Sequence, residues 1–206
     1  MRCLYCHREA HEDLARCPEC GFALQQVREL LGVSPALDPG VSDLQGVFTK
    51  REVRQLKSRL ADFERKFPQS TFSVVTSEHP SPSLPFSIFA FWLFNTSGIC
   101  KKLNTGGNNH DLLLTLDAPR GVACLTAGYG LEPFVGQEPL SFIVEQAKKE
   151  FESGAWLAGA LTIIDQAEKT LAEICSNLNR TYGISTQKIY EDEKRRSGDL
   201  IQKGDY

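Results

Sequence analysis

The sequence predicts an α/β protein, a mixed sheet sandwiched by helices, preceded by a small four-cysteine module. Three observations predict it: four cysteines crowded into the first twenty residues, amphipathic helical periodicity alternating with short β-rich runs, and a hairpin pattern in the middle of the chain. The 206 residues suffice for one ordinary α/β domain of about 100–150 residues plus an accessory module. With 41% hydrophobic and 24% charged residues the composition is that of a globular protein, and a net charge of −3 gives no general electrostatic reason to expect nucleic acid or an anionic membrane. The organisation read from composition is a metal module and short helix over 1–31, a linker over 32–40, an α/β domain over 41–180 and a polar tail over 181–206.

Cys3-Leu4-Tyr5-Cys6 and Cys17-Pro18-Glu19-Cys20 are two C-x-x-C pairs ten residues apart. Each pair presents two thiolates from one tight turn, and two such turns complete a tetrahedral shell with Zn–S distances of about 2.3 Å. Pro18 presets the second turn and Gly21 lets the backbone bend so that N–H groups point at sulfur. Cys3, Cys6, Cys17 and Cys20 are therefore assigned to one structural zinc ion. Two other readings compete. Cys3, Cys6 and His7 also spell the C-x-x-C-H pattern of covalent haem, but haem is attached outside the cytosol and a second C-x-x-C stands close by. A redox dithiol normally sits in a βαβ context that these residues lack. His7 and His11 are read as bystanders.

The other cysteines, Cys100, Cys124 and Cys175, stand alone, so the seven form no disulfide framework, and no apolar run follows Met1 as an export signal requires. A reducing, cytoplasmic compartment is expected. No transmembrane segment is expected either, because the longest apolar stretch, Pro85–Phe94, is half the roughly 20 residues that span a bilayer and reads as a buried core helix. Within residues 1–22, Arg2, Arg8 and Arg16 face Glu9, Glu12, Asp13 and Glu19, a slightly acidic balance that disfavours nucleic acid and favours protein docking.

Residues 23–31 read as a short helix and Gly32–Gly40 as a linker with Gly and Pro punctuation. Thr49-Lys50-Arg51-Glu52 is a capping box, and Val53, Leu56, Leu60, Phe63 and Phe67 then mark an amphipathic helix that Pro68 ends. Phe72–Thr76 reads as a strand. Leu112–Leu116 and Val122–Thr126 form a hairpin across Asp117–Gly121. Leu140, Ile143, Val144, Ala147 and Phe151 mark one further helix, and another runs from about Trp156 to about Leu178. The charged run Glu191–Arg196 reads as a solvated terminus.

Four segments then carry a resemblance: Val41-Ser42-Asp43-Leu44-Gln45-Gly46-Val47-Phe48, Leu93-Phe94-Asn95-Thr96-Ser97-Gly98-Ile99, Asn109–Asp117, and Ala127-Gly128-Tyr129-Gly130-Leu131-Glu132. Their order and spacing over roughly residues 40–160 resemble the TPM domain, a family that includes thylakoid-lumen acid phosphatases, photosystem-repair proteins and a modulator of acetylcholine receptors. The resemblance implies a central sheet between helices, with an acidic cleft at one end that binds calcium or another divalent ion in some members and supports weak acid phosphatase activity. Carried over, the catalytic or divalent-metal candidates are Asp43, Asp117 and Glu132, oxygen ligands suited to calcium or magnesium. Each has a plain structural reading beside it: Asp43 accepting backbone N–H bonds before a helix, Asp117 in the hairpin turn, Glu132 as a surface carboxylate. The chain departs from the family pattern at Asn109-His110-Asp111, and Gln137 or Glu138 stands where an acidic residue is usual. The leading functional expectation is accordingly a cytoplasmic protein-interaction scaffold with a protein partner. A divalent-metal phosphatase is the alternative, and a nucleic-acid-binding ribbon the second.

Overall fold

The computed structural model describes residues 3, 5, 6, 8, 16–81, 83–99, 110–131 and 134–182, with residues 24, 137 and 178–182 described through their backbone alone. Two compact units divide the chain, Met1–Asp165 and Gln166–Tyr206. The first contains α1 (Leu24–Leu31), β1 (Val41–Asp43), α2 (Lys50–Lys66), β2 (Phe72–Thr76), α3 (Phe86–Thr96), β3 (Leu112–Asp117), β4 (Val122–Ala127), α4 (Gln137–Gln146) and α5 (Lys148–Glu152). It also holds the start of α6 (Trp156–Tyr182), whose turns from Gln166 onward are the described part of the second unit. The expected Lys101–Asn109 loop and residues 183–206 of the polar tail lie outside the described residues.

The strands form one mixed sheet in the order β1-β2-β3-β4. β1 and β3 both run parallel to β2, and β4 returns antiparallel to β3 from Asp117↔Val122 to Leu112↔Ala127, which makes the expected hairpin. Every residue of β2 and β3 is buried, as helices on both faces require. Alternation along the strands assigns the faces. Phe72 meets Phe63 of α2 edge-on, with ring centroids 5.3 Å apart, so α2 covers the Phe72, Val74 and Thr76 face. Val75 and Leu113, on the opposite face, join one apolar cluster with Ile88, Phe89, Trp92 and Leu93 of α3.

Local chemistry explains the helices. The capping box of α2 is formed, with Glu52 N donating to Thr49 Oγ1 at 3.3 Å and Thr49 N donating to Glu52 Oε2 at 2.7 Å. The Thr49 backbone N–H holds the Glu52 carboxyl below its ordinary value, so this cap is complete at neutral pH and weakens as pH falls through that lowered value. α2 then buries Leu56, Leu60 and Phe63. α3 is apolar around its circumference, burying Ile88, Phe89, Ala90, Trp92, Leu93 and Phe94, and so has to be covered on more than its sheet side.

Two features differ from the sequence reading. Val41–Asp43 is a strand, too short and too rich in turn-forming residues to be read locally, and it exists because its backbone pairs with Val74, Val75 and Thr76. The helix expected through Leu140–Phe151 is broken at Ala147, where φ is −97° and ψ is 6°. The break turns α5 so that the Phe151 ring stacks on Trp156 with centroids 5.2 Å apart and lies directly on Gly159. A Cβ added at Gly159 would sit 2.3 Å from Phe151 Cε1. Gly159→Val is therefore expected to destabilise the protein by about 1–3 kcal/mol through overpacking, read as a lowered urea midpoint at unchanged slope.

Candidate metal centre and strand-end network

The ribbon is built from two knuckles of the same local design. Cys3 N donates to Arg8 O at 2.8 Å, and Cys17 N donates to Phe22 O at the same offset and distance. In the second knuckle Gly21 takes φ of 73°, a left-handed conformation that glycine adopts freely, and its N–H donates to Cys17 O at 2.9 Å. In the first, Tyr5 N donates to Cys3 Sγ at 3.4 Å, the N–H to sulfur bond that stabilises a thiolate. The Tyr5 ring stacks on Phe22 at 5.7 Å and locks the two knuckles face to face.

These turns bring the Sγ atoms of Cys3, Cys6, Cys17 and Cys20 within 4.8 Å of one another. Cys3 and Cys20 are 3.7 Å apart at sulfur, as are Cys6 and Cys17. A disulfide would need about 2.05 Å, whereas the edge of a tetrahedron with 2.3 Å Zn–S bonds is about 3.8 Å. The four residues thus fit a tetrahedral four-sulfur metal site, the geometry that suits zinc or iron. Among the described residues they are the group of three or more metal-ligating side chains that converges on a point.

Electrostatics agree with that fit. The Cys17 thiol is drawn down to about 7, chiefly by the Cys20 backbone N–H and also by that of Glu19, against the burial that raises it. At Cys20 the Phe22 backbone N–H pulls down, but burial and the neighbouring thiols outweigh it and push the group up to about 12. Four sulfurs this close do not all ionise without a cation, so binding a metal releases protons. Metal retention is expected to weaken as pH is lowered from 8 to 5 and to be accompanied at pH 7 by measurable proton release on loading. A chromophoric chelator and a weakly buffered titration check both, and retention indifferent to pH would contradict them.

α1 has little of its own to hold it in order. Fixing the eight backbone residues of α1 costs about 1–2 kcal/mol each. Burying Val27, at 2% exposure, returns only about 1.5–3 kcal/mol.

The carboxylate candidates fall elsewhere, at the carboxyl ends of the parallel strands. Asp43, the last residue of β1, accepts bonds from Val47 N and Phe48 N, both at 2.9 Å, and from Thr76 Oγ1 at 2.5 Å. Asp117, the last residue of β3, is fully buried and accepts from His79 N at 2.9 Å and Gln45 Nε2 at 3.4 Å, with Arg120 Nε 3.8 Å away. One network joins the two, because Gln45 N donates to Thr76 Oγ1 at 3.1 Å and Gln45 Oε1 accepts from Ala118 N at 3.2 Å. Glu132 lies outside the described residues, as do His7, His11 and Cys100. Burial pushes the Cys124 thiol up to about 11, which leaves it protonated and unreactive at neutral pH.

Thr76, Gln45 and His79 went unread in the sequence. His79 is 3% exposed, its ring stacks on Phe89 at 4.9 Å, and its Nε2 meets Leu84 O at 2.7 Å while Nδ1 accepts from Ser81 N at 3.3 Å. Carbonyl at one nitrogen and N–H at the other fit the tautomer protonated on Nε2. The available signal was positional: polar residues at or just beyond the end of an apolar parallel strand, where α/β sheets gather polar groups.

The sequence profile of the TPM domain matches residues 41–170. The chain belongs to the TPM-domain family. Solved structures support the fold of this TPM domain. The N-terminal domain of a P. gingivalis protein, solved by solution NMR, is 24% identical, with a TM-score of 0.53 over 64% of this chain and 80% of that one. The NMR structure of the BA42 protein from the psychrophilic bacterium Bizionia argentinensis is 14% identical, with a TM-score of 0.52 over 64% of this chain and 86% of that one. No curated protein matches the chain. The ribbon, α1 and the strap over residues 33–40 precede the matched residues. No helix among the described residues is long and apolar enough to cross a membrane.

Proposed function

We propose that this TPM-domain protein is a cytoplasmic interaction scaffold, whose ribbon holds one structural zinc ion and, together with the α/β domain, presents a docking surface to a protein partner. The observation that carries this reading is a contrast between the two candidate sites. The four cysteine sulfurs converge at tetrahedral spacing, whereas the oxygens of Asp43 and Asp117 are taken up by backbone and side-chain donors of their own domain. In this reading both carboxylates are structural acceptors that tie the strand ends together.

Affinity capture tests it, with the full chain compared against a chain in which Cys17 and Cys20 are serine, alongside elemental analysis. One zinc per chain and a partner lost with the ribbon support the scaffold; no partner, or one indifferent to the ribbon, counts against it.

A second reading, a divalent-metal phosphatase, is favoured by one observation. Asp43 and Asp117 stand at the carboxyl ends of parallel strands, where open α/β sheets bind ligands. Calcium or magnesium held there with Glu132 would neutralise a phosphate and activate water. Phosphomonoester hydrolysis that depends on restored divalent ion and disappears on combining Asp43→Asn, Asp117→Asn and Glu132→Gln would establish it. Activity unchanged in that triple variant would eliminate it.

A further inference from the structure

The apolar helix α3 has the sheet on one side, and on another it is closed by residues that the TPM match does not include. Val27 of α1 and Leu37 of the strap belong to the cluster that contains Phe89, Trp92 and Leu93, with Phe22 and Leu31 packed at its edge. Val27 is 2% exposed and Trp92 7%. Phe22 is at once part of the ribbon and part of this cover: its carbonyl accepts the Cys17 N–H, its ring stacks on Tyr5, and it packs on the cluster. The attachment of α1 itself is slight. α1 has eight residues, fewer than a helix needs to persist by itself, whereas the strap beyond it is tied down: Leu37 N donates to Ser97 O at 3.2 Å, Gly40 N to Ser73 Oγ at 3.2 Å, and Gly40 O accepts from Val74 N at 2.7 Å. Leu30 and Val33, beside them, are exposed at 52% and 96%.

We infer that the four-cysteine centre is a metal-controlled cover for α3. With metal bound, the paired knuckles hold Phe22 in place and α1 stays seated on the apolar cluster that includes Trp92. When the metal leaves, four thiols that regain protons no longer hold the knuckles together, Phe22 loses its anchor, and α1 frays and lifts from the apolar face. The α/β domain stays folded as this happens, because the β2–β3 ladder and the α2 face of the sheet, with Leu60, Phe63 and Phe72, use no residue of the ribbon or α1. The inference rests on the metal-centre reading and is independent of whether a protein partner docks.

The test uses the full chain carrying Trp156→Phe, which keeps a ring against Phe151 and leaves Trp92 as the sole tryptophan of the two. Under a reductant, metal is withdrawn with a strong chelator while three signals are followed: metal released, far-ultraviolet dichroism, and acrylamide quenching of Trp92. The expected result is a severalfold rise in the quenching constant with release of one metal, nearly unchanged dichroism, and reversal when zinc is restored. A second variant, Val27→Asp, is expected to keep its metal and yet show raised quenching from the start, since a charge at the buried contact unseats the helix directly. Metal release that leaves Trp92 as shielded as before would overturn the inference while leaving the metal centre standing. Collapse of the sheet signal together with Trp92 exposure would also overturn it, because the cover would then be part of the global fold. Protein that neither carries nor rebinds metal would remove the metal centre and the inference with it.

Discussion

Cys17→Ser is expected to reduce bound metal from one per chain to near zero while leaving the dichroism of the α/β domain largely intact. The serine hydroxyl does not ionise near neutral pH and supplies no thiolate, so the tetrahedron loses a corner. Cys17 is moreover a buried corner, and the N–H groups of Glu19 and Cys20 in its own turn are directed at its sulfur. The segment has little to fall back on: its contribution to the apolar cluster is Val27, Leu37 and the edges of Phe22 and Leu31, against a metal contribution of roughly 10–16 kcal/mol. Elemental analysis with intact-protein mass spectrometry decides the matter, and a variant still holding one metal tightly would show that the remaining three sulfurs suffice.

Asp43→Ala should lower the stability of the α/β domain by about 3 kcal/mol or more, since hydrogen bonds to a charged acceptor contribute about 1.5–3 kcal/mol each and three donors are left without theirs. Those donors are Val47 N and Phe48 N, which close the turn between β1 and α2, and the Thr76 hydroxyl at the end of β2. Such a loss is a large part of the 5–15 kcal/mol that holds a typical domain folded, and for a chain of this size corresponds to a melting temperature lower by about 6–12 °C. Asp43→Asn keeps one acceptor oxygen and should fall between. Urea titration of both variants measures the effect. An alanine variant as stable as the parent, with weakened calcium binding instead, would make Asp43 a ligand rather than a brace.

How much of this was legible beforehand depended on how local the cause was. The convergence of the four cysteines could be read because each C-x-x-C closes its own turn, and both knuckles adopt the same Cys N to carbonyl bond five residues on. The α2 cap was legible for the same reason, with Thr49 and Glu52 satisfying each other's backbone groups three residues apart. Asp43 and Asp117 could be nominated only through the family resemblance. That they share one network through Gln45 and Thr76 follows from strand order, because the ends of β1, β2 and β3 adjoin only once the sheet is assembled.

By itself the sequence determined the four-cysteine centre, the capped amphipathic helix, the apolar helix and the hairpin, all of which arise from contacts between residues close along the chain. Tertiary structure alone decided that Val41–Asp43 is a strand, that the helix after Leu140 breaks at Ala147, and that Asp43 is fastened to Thr76. It also decided that the segment behind the cysteines folds back over α3. The physical reason is the same in each case: a three-residue strand, a bent helix and an eight-residue helix have too little local stability to declare themselves. Their form is set by the distant backbone, ring or apolar face against which they come to rest.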